Sequence, residues 1–132
     1  MPAPLGKVPT KKMPDIQVFG REDSSETRAA LRFFRERRIA VSFVDLRKRP
    51  IAVGELRRFT ERLGGRALLD DASKPYGDAG LAYLSLDEAG IAQRLLADAR
   101  LLRLPLIRHG AEVTVGRADA AWTEWLRRAG GR

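Results

Sequence analysis

Ser24 and Thr27 are the side chains best placed for chemistry: two hydroxyls three residues apart, where the β-rich run Ile16-Gln17-Val18-Phe19-Gly20 gives way to a helical pattern. At such a junction the first amides of the helix are unpaired, so Ser24 can cap the helix or help hold a carboxylate or phosphate. As a nucleophile it would need a base, because a hydroxyl is almost fully protonated near neutral pH. The single histidine, His109, is the candidate, and it would have to come within about 3 Å of Ser24. Its place in a His-Gly pair before a second β-rich run argues instead for a solvent-facing turn. Glu22 and Asp23 set negative charge where an anion would sit, which favours the capping role for Ser24. Arg28, one turn further on, could hold a ligand, although an exposed helix arginine is the commoner account. No catalytic residue is assigned.

The chain contains no cysteine. Disulfides, thiol nucleophiles and thiolate metal sites are excluded together. With one histidine as well, the usual metal-ligand sets are missing, and neither a metal nor a cofactor is expected.

Positive charge is the other chemical signal. The net charge is +8, and most of the excess falls beyond residue 15. Arg35, Arg37, Arg38, Arg47, Lys48 and Arg49 bracket one β-rich segment and are expected to form one basic patch at one end of a sheet. Such a patch attracts phosphate. It lacks interleaved aromatics and any groove-reading motif, so nucleic acid is a weakly supported partner and solvated helix faces explain the charge as well.

Positioning these residues requires a folded domain, and 132 residues with 44% hydrophobic content supply one ordinary core. Residues 1–15 hold four of the seven prolines and three lysines, and read as a disordered basic leader. Residues 16–132 read as the domain. No apolar stretch is long enough to cross a bilayer and no secretory signal is present, so a cytoplasmic protein without a membrane partner is expected.

The spacing predicts a strand over 16–20, then a helix over 27–38 with Ala30, Leu31 and Phe34 on one face and Asp23, Ser24 or Ser25 as its cap. A second strand follows over 39–46. Leu56, Phe59 and Leu63 mark a helix over 53–63 that Gly64-Gly65 ends. Residues 66–86 mix turn signals with short apolar clusters and read as short helices, and Ile91, Leu95, Ala99 and Leu102 align along a helix over 86–102. Leu106-Ile107-Arg108 and Glu112 to Val115 form an antiparallel hairpin. A closing helix over 117–128 packs Trp122 and Trp125 into the core. The order is βαβ, a helical insertion, then ββα, which implies a four-stranded mixed sheet between helices: a three-layer, thioredoxin-like α/β fold.

From Ile16 to about Leu126 this order resembles the arsenate reductase and Spx family. Three stretches carry the resemblance: Val18 to Leu31, the segments Arg66-Ala67-Leu68-Leu69 and Lys74 to Leu81, and Leu101-Leu102-Arg103-Leu104-Pro105-Leu106-Ile107. The last is similar to the family's Arg-Pro-Ile or Arg-Pro-Leu signature. By resemblance Ser24 takes the place of the nucleophilic cysteine and Thr27 the second position of the pair, and Pro105 is expected to be cis and to face the active loop. Asp70 and Leu104 stand where the reductases have oxyanion-binding arginines, leaving Arg117 near the last helix start. Ser24, Thr27, Arg28, Arg103, Leu104, Pro105 and Arg117 are thus the expected degenerate active-site positions.

Arsenate reduction needs a thiolate that attacks arsenic and a second thiol to exchange the adduct, and serine offers neither step. Two function classes remain. The first is a non-redox binding, adaptor or regulatory module with a protein partner, transcription-linked in so far as Spx-type relatives bind RNA polymerase. The second is a thiol-independent enzyme or small-anion binder using the ancestral cleft. The sequence leaves the oligomeric state unread.

Overall fold

The computed structural model describes residues 16–129; the proposed leader, residues 1–15, lies outside them. The chain runs β1 (Ile16–Gly20), α1 (Ser25–Glu36), β2 (Ser42–Asp45), α2 (Val53–Leu63), α3 (Lys74–Asp78), α4 (Glu88–Ala97), β3 (Leu106–His109), β4 (Glu112–Val115) and α5 (Asp119–Ala129). Short 3-10 turns at Gly65–Leu68, Leu81–Tyr83 and Ala99–Leu101 complete the insertion. The sheet order is β2-β1-β3-β4. β1 is parallel to β2 and antiparallel to β3, and β3 is antiparallel to β4.

Because side chains alternate along a strand, adjacent residues of β1 and β3 serve opposite faces. Val18 and Ile107 join Phe33, Phe34, Trp122 and Trp125 in one core under α1 and α5. Phe19 and Leu106 join Leu56, Phe59, Leu68 and Leu95 in the other, under α2 and the insertion. Both tryptophans are buried, as their spacing predicts, and each indole N–H finds an acceptor: Trp122 Nε1 donates to Thr114 Oγ1 at 2.9 Å and Trp125 Nε1 to Glu112 Oε1 at 3.0 Å. The expected three layers are present.

Boundaries differ where local hydrogen bonds compete with periodicity. α1 ends two residues early because Arg38 adopts a left-handed φ of 62°. Ile39 N then donates to Phe34 O at 2.9 Å and Arg38 N to Arg35 O at 2.9 Å, a Schellman closure with arginine where glycine is usual. The expected continuous helix over 86–102 breaks at Asp98, whose φ of −147° is extended. Its carboxylate caps a new turn by accepting from Arg100 N at 3.0 Å. Bonds from Asp70 N to Leu101 O at 2.8 Å and from Arg103 N to Leu68 O at 2.7 Å then draw the segment onto the insertion. The pull of that two-sided pairing outweighs one more helical turn.

Candidate functional site

The β1–α1 loop is built around a close approach. A Cβ on Gly20 would sit 2.5 Å from Thr27 Oγ1, so only glycine lets the end of β1 pass under the first turn of α1. Thr27 is fully buried there, and its hydroxyl accepts from Arg21 N at 3.4 Å. Ser24, in an extended conformation, caps α1 by accepting from Thr27 N at 3.1 Å. On the facing side the Leu104–Pro105 peptide is cis, as expected, and Pro105 O accepts from Gly116 N at 2.9 Å. That bond ties the start of β3 to the turn before α5.

Between these loops lies an open cleft of about 600 Å³. Of the expected positions, Ser24, Arg103, Leu104 and Arg117 line it. Thr27 and Pro105 are buried and do not line it. Arg28 is elsewhere: its guanidinium donates to Glu22 O at 2.8 Å, in a shallow hollow shared with Leu31, Arg32 and Arg35. Its guanidinium is engaged by that carbonyl, and Arg28 does not line the cleft.

Sequence reasoning missed part of the wall: Arg21, Arg100 and Glu26 also line the cleft, beside the acids Asp23 and Asp70 that it places here. Arginine is therefore abundant at this site, not reduced to Arg117 alone. Arg100 comes from the turn created by the break at Asp98, and no pattern in the sequence marks that break except an aspartate two residues before an arginine. Arg21 Nη2 lies 2.8 Å from Asp23 Oδ2, Arg100 Nη2 2.9 Å from Asp98 Oδ2, and Arg117 Nη2 2.9 Å from Asp119 Oδ2. In each case the arginine's hydrogen bonds hold the aspartate carboxyl below its ordinary range. These carboxylates are correspondingly poor bases.

His109 is not at a hairpin tip. It is the last residue of β3, opposite Ile16 and Glu112, half-buried, with its ring centroid 5.4 Å from that of Trp125. Ser24 follows the other end of β1, so the length of that strand, about 13 Å, separates the two. The basic residues also divide. Arg35, Arg37 and Arg38 end α1 before β2 begins, whereas Arg47, Lys48 and Arg49 follow the end of β2. They make two groups at opposite ends of the strand, not one patch, because the strand they bracket holds them apart. Arg37 lies over the Phe33 ring at 3.7 Å, and Arg47 and Arg49 pair with Glu22 and Glu55 at 3.3 and 2.8 Å.

Among the described residues no group of three His, Cys, Asp or Glu side chains converges as a metal site, and no helix is long and apolar enough to cross a membrane.

A sequence model of the ArsC family matches residues 19–125, nearly the whole of the sheet and both of its helical layers. This chain belongs to the ArsC family. An arsenate reductase of Neisseria meningitidis serogroup A is 29% identical over 108 residues, spanning 80% of this chain and 92% of its own. Among solved structures, an arsenate reductase from Vibrio cholerae superposes with a TM-score of 0.76 at 19% identity, covering 86% of this chain and 98% of its own. An arsenate reductase related protein from Brucella melitensis superposes with a TM-score of 0.64 at 17% identity over 89% of this chain and 99% of its own. The sheet, its helical layers and the cis proline of this ArsC-family chain are thus a thioredoxin-like scaffold, and the position of Ser24 is the start of its first helix.

Proposed function

We propose that this chain is an ArsC-family binding module that works without thiol chemistry and takes a protein partner. The carrying observation is Ser24: where the resemblance expects the nucleophile, there is a hydroxyl already accepting the Thr27 amide, in a chain with no cysteine. Arsenate reduction needs a sulfur nucleophile and a sulfur acceptor for the adduct, and this chain supplies neither. A serine mechanism is disfavoured by the absence of a matched base. His109 lies at the other end of β1, and Asp23 is held ionised by Arg21.

The open, doubly charged cleft supports recognition of a protein surface over an isolated anion, since its arginines meet acids on the same wall. Resemblance to Spx-type proteins makes the transcription machinery the first partner to test, in a regulatory or adaptor role. The test is a thermal-shift scan of phosphate, arsenate and glutathione beside a turnover assay with arsenate and a disulfide substrate. A ligand at one hundred times its Kd would add about 2.7 kcal/mol of stability. A flat scan and no turnover are expected, together with retention on immobilised RNA polymerase. Turnover by the purified wild-type protein overturns the reading.

A further inference from the structure

Arginine and aspartate recur around the cleft as one short unit. Arg21 Nε and Nη2 donate to Asp23 Oδ1 and Oδ2 at 3.0 and 2.8 Å. Arg100 grips Asp98 in the same way at 3.0 and 2.9 Å, and Arg117 grips Asp119 at 3.0 and 2.9 Å. In every pair the partners are two residues apart. The units come from three separate segments: the β1–α1 loop, the turn between α4 and β3, and the junction of β4 with α5. Only the fold brings the three arginines to one cavity, where Asp23 joins them in the lining while Asp98 and Asp119 hold their arginines from outside it.

A guanidinium that offers two parallel N–H groups to two oxygens is using the same edge that would take a phosphate or arsenate. An incoming oxyanion therefore meets three arginines whose Nε–Nη2 edges are already filled, each with a carboxylate beside the Nη1 end that stays open. Each occupant is tethered by two residues of chain, so its effective concentration at the edge far exceeds that of a solute. Arg103 is the exception, with its carboxylate contact, Asp71, at 3.7 Å.

We propose that Asp23, Asp98 and Asp119 are built-in occupants of the cleft's arginine edges, and that they, not a shortage of cations, make this site reject free tetrahedral oxyanions. Removing them uncovers a phosphate site. This rests on the reading that the cleft no longer serves oxyanion chemistry, and it names the residues that enforce the exclusion. Exposed pairs hold weakly one at a time. The larger effect is the repulsion they exert: a carboxylate about 5 Å from a bound anion, at the intermediate dielectric of a cleft, lowers affinity by about tenfold.

The test titrates inorganic phosphate calorimetrically into the wild type, into Asp23→Asn/Asp119→Asn, and into Glu61→Gln/Glu124→Gln. The last makes the same change in net charge away from the cleft. Asp98 is left in place because it also caps the Arg100 amide. The cleft double variant is expected to bind phosphate at least tenfold more tightly than the other two proteins. Equal gain in the charge-matched control, or no gain in a folded cleft variant, overturns the proposal, as does wild-type binding as tight as the variant's. Should the double variant unfold, Asp23→Asn alone, on an exposed loop, is read by the same criterion against wild type, with severalfold tighter binding expected. Wild-type arsenate turnover would overturn both the proposed function and this inference. An unchanged phosphate isotherm in the folded variant, with no turnover by the wild type, would overturn this inference alone and leave the proposed function standing.

Discussion

Replacing Ser24 by cysteine puts the missing sulfur back and reads the electrostatics of the cleft directly. The chain has no other cysteine, so the thiol would be a single reporter. Ser24 precedes a helix of 12 residues and its side chain already meets the Thr27 amide at 3.1 Å. A helix N-terminus stabilises a nearby anion by about 0.3–2 kcal/mol, and 1.36 kcal/mol is about one pKa unit. An ordinary thiol titrates at about 8.5. The nearby guanidiniums of Arg21 and Arg117 add little to that shift, because Asp23 and Asp119 offset them, and Glu26 opposes it. The Ser24→Cys thiol is therefore expected to titrate near 7.5, a drop of about one unit. The assay is the pH dependence of iodoacetamide alkylation, checked by ultraviolet thiolate absorbance. A pKa at or above about 8.5 would refute the reasoning, because it would mean that the α1 amides do not face this position. Without an added thiol, arsenate turnover should stay absent even in Ser24→Cys, since no second thiol in the chain can exchange the adduct.

Two further outcomes test the frame that holds the cleft. Gly20→Ala should destabilise the fold by about 1–3 kcal/mol in chemical denaturation, because its methyl would press 2.5 Å from the buried Thr27 hydroxyl, and an unchanged midpoint would contradict that packing. Arg38→Gly should stabilise it by about 0.5–1 kcal/mol, since arginine now occupies the left-handed position at φ 62°, and a lower thermal midpoint would show that the Arg38 side chain outweighs the backbone gain.

Local features were legible in the sequence. Ser24 as a cap, Gly64 as a helix stop and the alternation of Val18 with Phe19 and Leu106 with Ile107 all arise from interactions within a few residues, which a linear pattern records. The break at Asp98 escaped because its cause is a pair of hydrogen bonds to Leu68 and Asp70, about thirty residues away. The sequence pattern ends the β-rich run at Arg108, whereas β3 extends through His109, and that one position separates a turn residue from a strand residue.

The sequence by itself determined the order of strands and helices and the impossibility of thiol chemistry, because periodicity and the absence of an element from the composition need no third dimension. The tertiary structure alone decided which charges share a site. Arg21, Arg100 and Arg117 lie in three separate segments and meet only because the sheet aligns the loops at one end of its strands, while Arg38 and Arg47, close in sequence, are parted by the strand between them. Charge acts through space over about 10 Å, and distance along the chain says little about that separation.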